Sequence, residues 1–170
     1  VLLCCPASLA RAEEAVASRL KGFPAPDEHP VTARLITEHA AVEPGGHTRV
    51  GVLFEMEEGW HIYAQEPGDA GLATRVVWSA PELFTVGALD WPPSQEFLDP
   101  GNIKTFGYDE AVVVSSPLDV SAAADPEGTM PIRADVEWLA CKHICIPGSA
   151  ELRLELAVGP GPPQASPEAR

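Results

Sequence analysis

Cys141 and Cys145, four positions apart with Lys142, His143 and Ile144 between them, are the residues of this chain best suited to chemistry. Along a regular strand rising roughly 3.3 Å per residue their Cα atoms would stand about 13 Å apart, whereas a disulfide needs about 4.4–6.8 Å. A bond between them therefore requires the segment to fold back tightly. A ring so small gains little from loop closure, and strained or exposed disulfides are the ones that exchange. Left extended, Cys141, His143 and Cys145 would share one face, a soft S/N/S set suited to Cu(I) or zinc. Two nearby cysteines can also be plain buried apolar side chains. His143 adds a further expectation: standing between the thiols, its protonated ring would favour a thiolate and raise the reactive fraction near neutral pH.

The flanking sequence offers a way to fold back. Ile132, Ala134, Val136 and Trp138 alternate with Arg133, Asp135 and Glu137, and beyond Pro147-Gly148-Ser149 the residues Leu152, Leu154, Leu156 and Val158 alternate with Glu151, Arg153 and Glu155. Period-two alternation marks half-buried strands. The cysteines thus fall in the connection of a hairpin, which can close a short ring.

The remainder reads as a series of short strands. Residues 31–39 open the series and Glu43-Pro44-Gly45-Gly46 makes a turn; 48–56 alternate with Val50, Val52, Phe54 and Met56 on one face. Residues 60–64 and 73–78 are further strands, separated by the turn cluster 67–71. Prolines at 81, 92, 93 and 100 predict a loop-rich stretch over 79–107, and 110–120, with Ala111-Val112-Val113-Val114, reads as a buried strand before a polar turn at 122–130. His29, His39, His47 and His61 are scattered, as surface or strand residues are. No internal repeat, phosphate-cradling glycine loop or hydrolase elbow is present in the sequence, and nothing in it asks for a cofactor.

Composition narrows the fold and the partners. With 170 residues, 18 prolines, 14 glycines and 45% apolar residues, one all-β domain with tails is expected, of the immunoglobulin-like β-sandwich kind. A net charge of -14 repels nucleic acid and anionic lipid surfaces. Residues 1–12 read as the remnant of a signal peptide with a truncated start; its removal would leave Cys141 and Cys145 as an even pair in an oxidising compartment. Residues 13–30 read as a leader and linker, 31–158 as the domain, and 159–170, rich in Pro and Gly, as a disordered tail. No apolar run approaches the length of a membrane span.

The stretch from Trp138 to Pro147 resembles the cysteine motif of the N-terminal periplasmic domain of DsbD-type thiol-disulfide interchange proteins, in particular the ScsB-like branch linked to copper tolerance. Gly59-Trp60-His61-Ile62-Tyr63, Pro67-Gly68-Asp69-Ala70-Gly71, Val77-Trp78, Trp91-Pro92-Pro93 and Phe106-Gly107-Tyr108 follow in that family's order, and the resemblance covers roughly residues 30–158. It implies the same immunoglobulin-like fold and thiol-disulfide exchange through Cys141 and Cys145, with Cys145 bonding the partner and Cys141 resolving. Gln95-Glu96-Phe97-Leu98 resembles the family's cap loop, which implies that Phe97 covers the sulfurs with Glu96 beside it, and that Tyr63 lies near them. The implied setting is the periplasm, with thioredoxin-like proteins and a membrane-embedded thiol electron donor as partners. The family's membrane carrier and thioredoxin-like domain are not part of this sequence. The competing expectation is a non-catalytic secreted binding module, its cysteines forming a structural disulfide or, with His143, a copper or zinc site.

Overall fold

The computed structural model describes residues 29–99 and 101–159. The expected signal-peptide remnant, residues 13–28 of the expected leader and the tail beyond Gly159 lie outside the described residues. Every regular element among those described is a strand: β1 (Val31–Thr37), β2 (Ala41–Val42), β3 (His47–Met56), β4 (His61–Gly68), β5 (Arg75–Ser79), β6 (Phe84–Val86), β7 (Gln95–Asp99), β8 (Ile103–Asp109), β9 (Ala111–Val120), β10 (Thr129–Cys141) and β11 (Cys145–Val158). None of the described residues forms a helix long and apolar enough to cross a membrane.

The strands make two sheets, an immunoglobulin-like sandwich as expected. One has the order β1-β3-β9-β6; the other runs β2-β11-β10-β4-β8-β7, with β5 alongside β10. Alternation drives the assembly, because Val50, Val52 and Phe54 on β3, Val112, Val114 and Leu118 on β9, and Ile132, Ala134 and Val136 on β10 all turn inward and leave water. Trp78 on β5 joins the layers by donating its Nε1–H to the buried Ser116 Oγ of β9 at 3.0 Å. A second tie comes from Phe54, whose ring meets the edge of Trp138 at 5.6 Å. Upstream of β1, Pro30 is buried and its carbonyl accepts the Glu57 amide.

Several elements differ from the sequence reading. The loop-rich stretch 79–107 also holds β6 and the β7–β8 hairpin, because the prolines at 81, 92 and 93 fall between strands and leave 95–99 free to pair. The expected turn at 67–71 begins within β4, where a register shift between Tyr63 and Gly68 absorbs Pro67. Strand β9 is not wholly buried; it alternates, with Val113 half-buried and Pro117 exposed, a period that its run of valines conceals. Pro147-Gly148-Ser149 likewise lie inside β11.

Phe54 is fully buried where the two layers meet. Phe54→Ala should lower the unfolding free energy by about 3–5 kcal/mol. Urea titration followed by tryptophan fluorescence measures it, and a loss under about 1 kcal/mol would mean that the core collapses freely into the space.

Candidate functional site

The ladder between β10 and β11 keeps one register from Thr129↔Ala157 to Cys141↔Cys145. The chain turns through Lys142, His143 and Ile144, with the Lys142 amide donating to the Ile144 carbonyl at 3.1 Å. That fold-back brings the Cα atoms of Cys141 and Cys145 to 4.2 Å, and the two sulfurs are bonded. The extended arrangement that would line up Cys141, His143 and Cys145 for a soft metal is therefore not adopted. The two sulfurs' residues differ in access: Cys141 is 4% exposed, whereas Cys145 stands open to solvent.

Alternation sends Cys141 to the face opposite Ile132, Ala134, Val136 and Trp138, the outer face of its sheet. There β4 pairs with β10 through Ile62↔Ala140 and His61↔Cys141, so the His61 side chain stands beside Cys141. His61 is buried and gathers aromatic rings. Phe97 stacks on it with centroids 4.5 Å apart and planes 14° apart, and Tyr63 meets it edge-on at 5.4 Å. Gly71 packs against the Tyr63 ring so closely that a Cβ would come within 2.6 Å of it. On the far side Gly107 lets β8 approach β4, since a Cβ there would lie 2.1 Å from the Ile62 carbonyl oxygen. The strands next to β4 therefore set how Phe97 reaches His61.

Lys142 fastens the turn. Its Nζ donates to the Glu58 carbonyl at 2.8 Å, and its stem lies over Gly59, which adopts φ of +79°. A Cβ at Gly59 would come within 2.9 Å of the Lys142 Cε.

Residues 32–157 match the sequence profile of the family described as thiol:disulfide interchange protein DsbD, N-terminal. The chain belongs to this family. Its fold is like that of the N-terminal periplasmic domain of ScsB from Proteus mirabilis, at 23% identity and a TM-score of 0.56. That match covers 79% of this chain and 49% of the ScsB chain, so this chain spans about half of that relative's length. A second similar structure is the reduced DsbD N-terminal domain of Neisseria meningitidis, at 16% identity and a TM-score of 0.41, over 74% of this chain and 86% of that one. No curated protein matches the sequence.

Of the residues expected at the site of this DsbD-family domain, the structure brings Cys141, Cys145, Phe97 and Tyr63 together, the last two by way of His61. It does not bring in the other two. Glu96 points to the other side of β7 and pairs with Lys104 at 3.0 Å on the surface. His143 sits exposed at the tip of the turn. Tyr108, expected only as part of a family segment, donates to the Pro92 carbonyl at 2.8 Å and so ties β8 to the chain entering β7; burial pushes its phenol above the ordinary value. Three contributors escaped the sequence reading. His61 reads in the sequence as an ordinary strand residue, although its two-residue spacing from Tyr63 puts both rings on one face. Lys142 and Gly59 act on each other across 83 positions of sequence, a separation no local pattern reveals.

Gly59→Ala should destabilise the domain by about 1–2 kcal/mol through its left-handed backbone alone. Chemical denaturation of the oxidised protein tests this, and Lys142→Met in the same background should add less than it does alone, since the two share one contact.

Proposed function

We propose that this domain passes reducing equivalents between protein partners in the periplasm through the Cys141–Cys145 pair. The observation that carries the reading is the difference in access: a bonded pair with one sulfur's residue buried and the other's open, at the tip of a hairpin, on a member of a thiol:disulfide interchange family. The description of the ScsB relative as periplasmic supports the compartment. Thioredoxin-like proteins and a membrane-embedded thiol donor are the partners this chemistry fits.

An incoming donor thiolate attacks the Cys145 sulfur, the Cys141–Cys145 bond breaks, and Cys141 leaves as a thiolate. The donor's second thiol then attacks its own sulfur in the mixed disulfide, releasing Cys145 as a thiolate and leaving the donor oxidised. Two electrons have entered the domain, and two protons complete its thiols. In the second half, Cys145 attacks the disulfide of an acceptor and Cys141 resolves the resulting mixed disulfide, so the acceptor leaves reduced. Phe97, stacked on His61, is the cover that restrains small thiols meanwhile.

Cys141→Ala should accumulate a mixed disulfide through Cys145, visible on non-reducing gels of cells expressing it, while Cys145→Ala should accumulate little. Loss of stability in both variants with no reductant-sensitive adduct would instead mark a structural bond, as would a reduction potential below about -300 mV in glutathione buffers.

Phe97→Ala should speed reduction of the wild-type disulfide by dithiothreitol several-fold, read by thiol alkylation and mass spectrometry. An unchanged rate would make Phe97 an anchor of the β7–β8 hairpin only.

A further inference from the structure

A second feature shares the outer face with the disulfide. Register places Arg75, Glu137 and Ser149 side by side across β5, β10 and β11, and all three are exposed on the same face as Cys141 and Cys145. They border an open cleft of about 560 Å³ whose wall is completed by Leu72, Ala73, Trp138, Pro147 and Gly148. Arg75 and Glu137 neutralise one another at 3.7 Å. Leu72 is a large apolar side chain left 65% exposed with no core to join. The cleft is thus uncharged in sum and apolar along one side.

Its distance from the sulfurs is fixed by the strands. Glu137 lies four residues from Cys141 and Ser149 four residues from Cys145, about 13 Å along the sheet at roughly 3.3 Å per residue. An extended polypeptide whose cysteine sits at Cys145 advances at the same rise and returns to the same face every second residue. Its fourth residue from the cysteine therefore arrives at the cleft with its side chain turned in.

We propose that this cleft is the docking pocket for an apolar side chain four residues from the reactive cysteine of an extended partner polypeptide. The inference rests on the interchange reading, because only a partner whose thiol bonds Cys145 is held in this register. It assigns the cleft a part in selecting protein thiols over small ones, with Leu72 and Pro147 making the apolar contact and the Arg75–Glu137 pair bounding the site.

The test uses short synthetic peptides with one cysteine and otherwise threonine and serine. A leucine is placed three, four or five residues from the cysteine, on either side, and the rate at which Cys141–Cys145 opens to a mixed disulfide between the peptide and Cys145, freeing the Cys141 thiol, is followed by alkylation and mass spectrometry. A leucine at four should raise the rate about tenfold over serine at that position, the value of partial burial of one such side chain. At three or five the gain should vanish. Leu72→Ser should erase the preference while leaving reduction by dithiothreitol unchanged; Ser149→Leu, which fills the cleft from β11, should do the same. Equal rates for all spacings would overturn the pocket, as would a preference that survives both variants. Self-association that buries Leu72 in the free protein would overturn it too, by giving the cleft to a second copy. The dithiothreitol arm separates the two readings: a disulfide inert even to that reagent defeats the interchange function, whereas one that reacts with it but is blind to leucine position defeats only the pocket.

Discussion

The ladder between β10 and β11 runs from Thr129↔Ala157 to Cys141↔Cys145 without a slip, and the placing of the two cysteines opposite one another depends on it. A slip of one residue would carry Ile132, Ala134 and Val136 out of the core and move Cys141 to the wrong face at the same time. The buried half of β10 therefore holds the chemistry in place: the cost of exposing its side chains is the cost of misplacing a sulfur. Small residues make this tolerable, since Gly148 faces the Trp138 indole so closely that a Cβ would come within 2.3 Å of the ring.

Around that ladder the sheet is used unequally on its two faces. The inner face is apolar, with Trp78 and Trp138 among its aliphatic side chains, and meets the other layer through Ser116 and Phe54. On the outer face, His61 occupies the place beside Cys141 and acts as a platform on which Phe97 and Tyr63 converge. The turn that joins β3 to β4 adds Lys142's only anchor outside its own loop among the described hydrogen bonds. Two close approaches, Gly107 to β4 and Gly71 to Tyr63, allow the rings to gather without opening the strands.

Much of this was legible in the sequence where a local period expressed it. The alternation of 132–138 and 152–158 gave both arms of the hairpin, and a bond between the two cysteines required the fold-back that the structure shows. The β7–β8 hairpin was hidden because proline density argues against strands in general, while here the prolines merely bound them. The valine run of β9 concealed its alternation, because consecutive branched residues look the same on either face. Glu96 shows the limit of analogy: its neighbour Phe97 turns toward His61, so by alternation the carboxylate must turn away, to Lys104. His61 and Lys142 depend on contacts between strands distant in sequence, which composition and periodicity do not carry.

The position of β7 has a mechanical consequence. It is the last strand of its sheet and bonds only β8, while β10 lies inside the sheet with partners on both sides. Edge ladders fray at small free-energy cost, whereas interior ones open only with the whole domain. Phe97 therefore rides on an edge strand of the sheet and Cys141 on an interior one. A single sheet thus holds both, so the ring stacked on His61 can yield while Cys141 stays held between two strands.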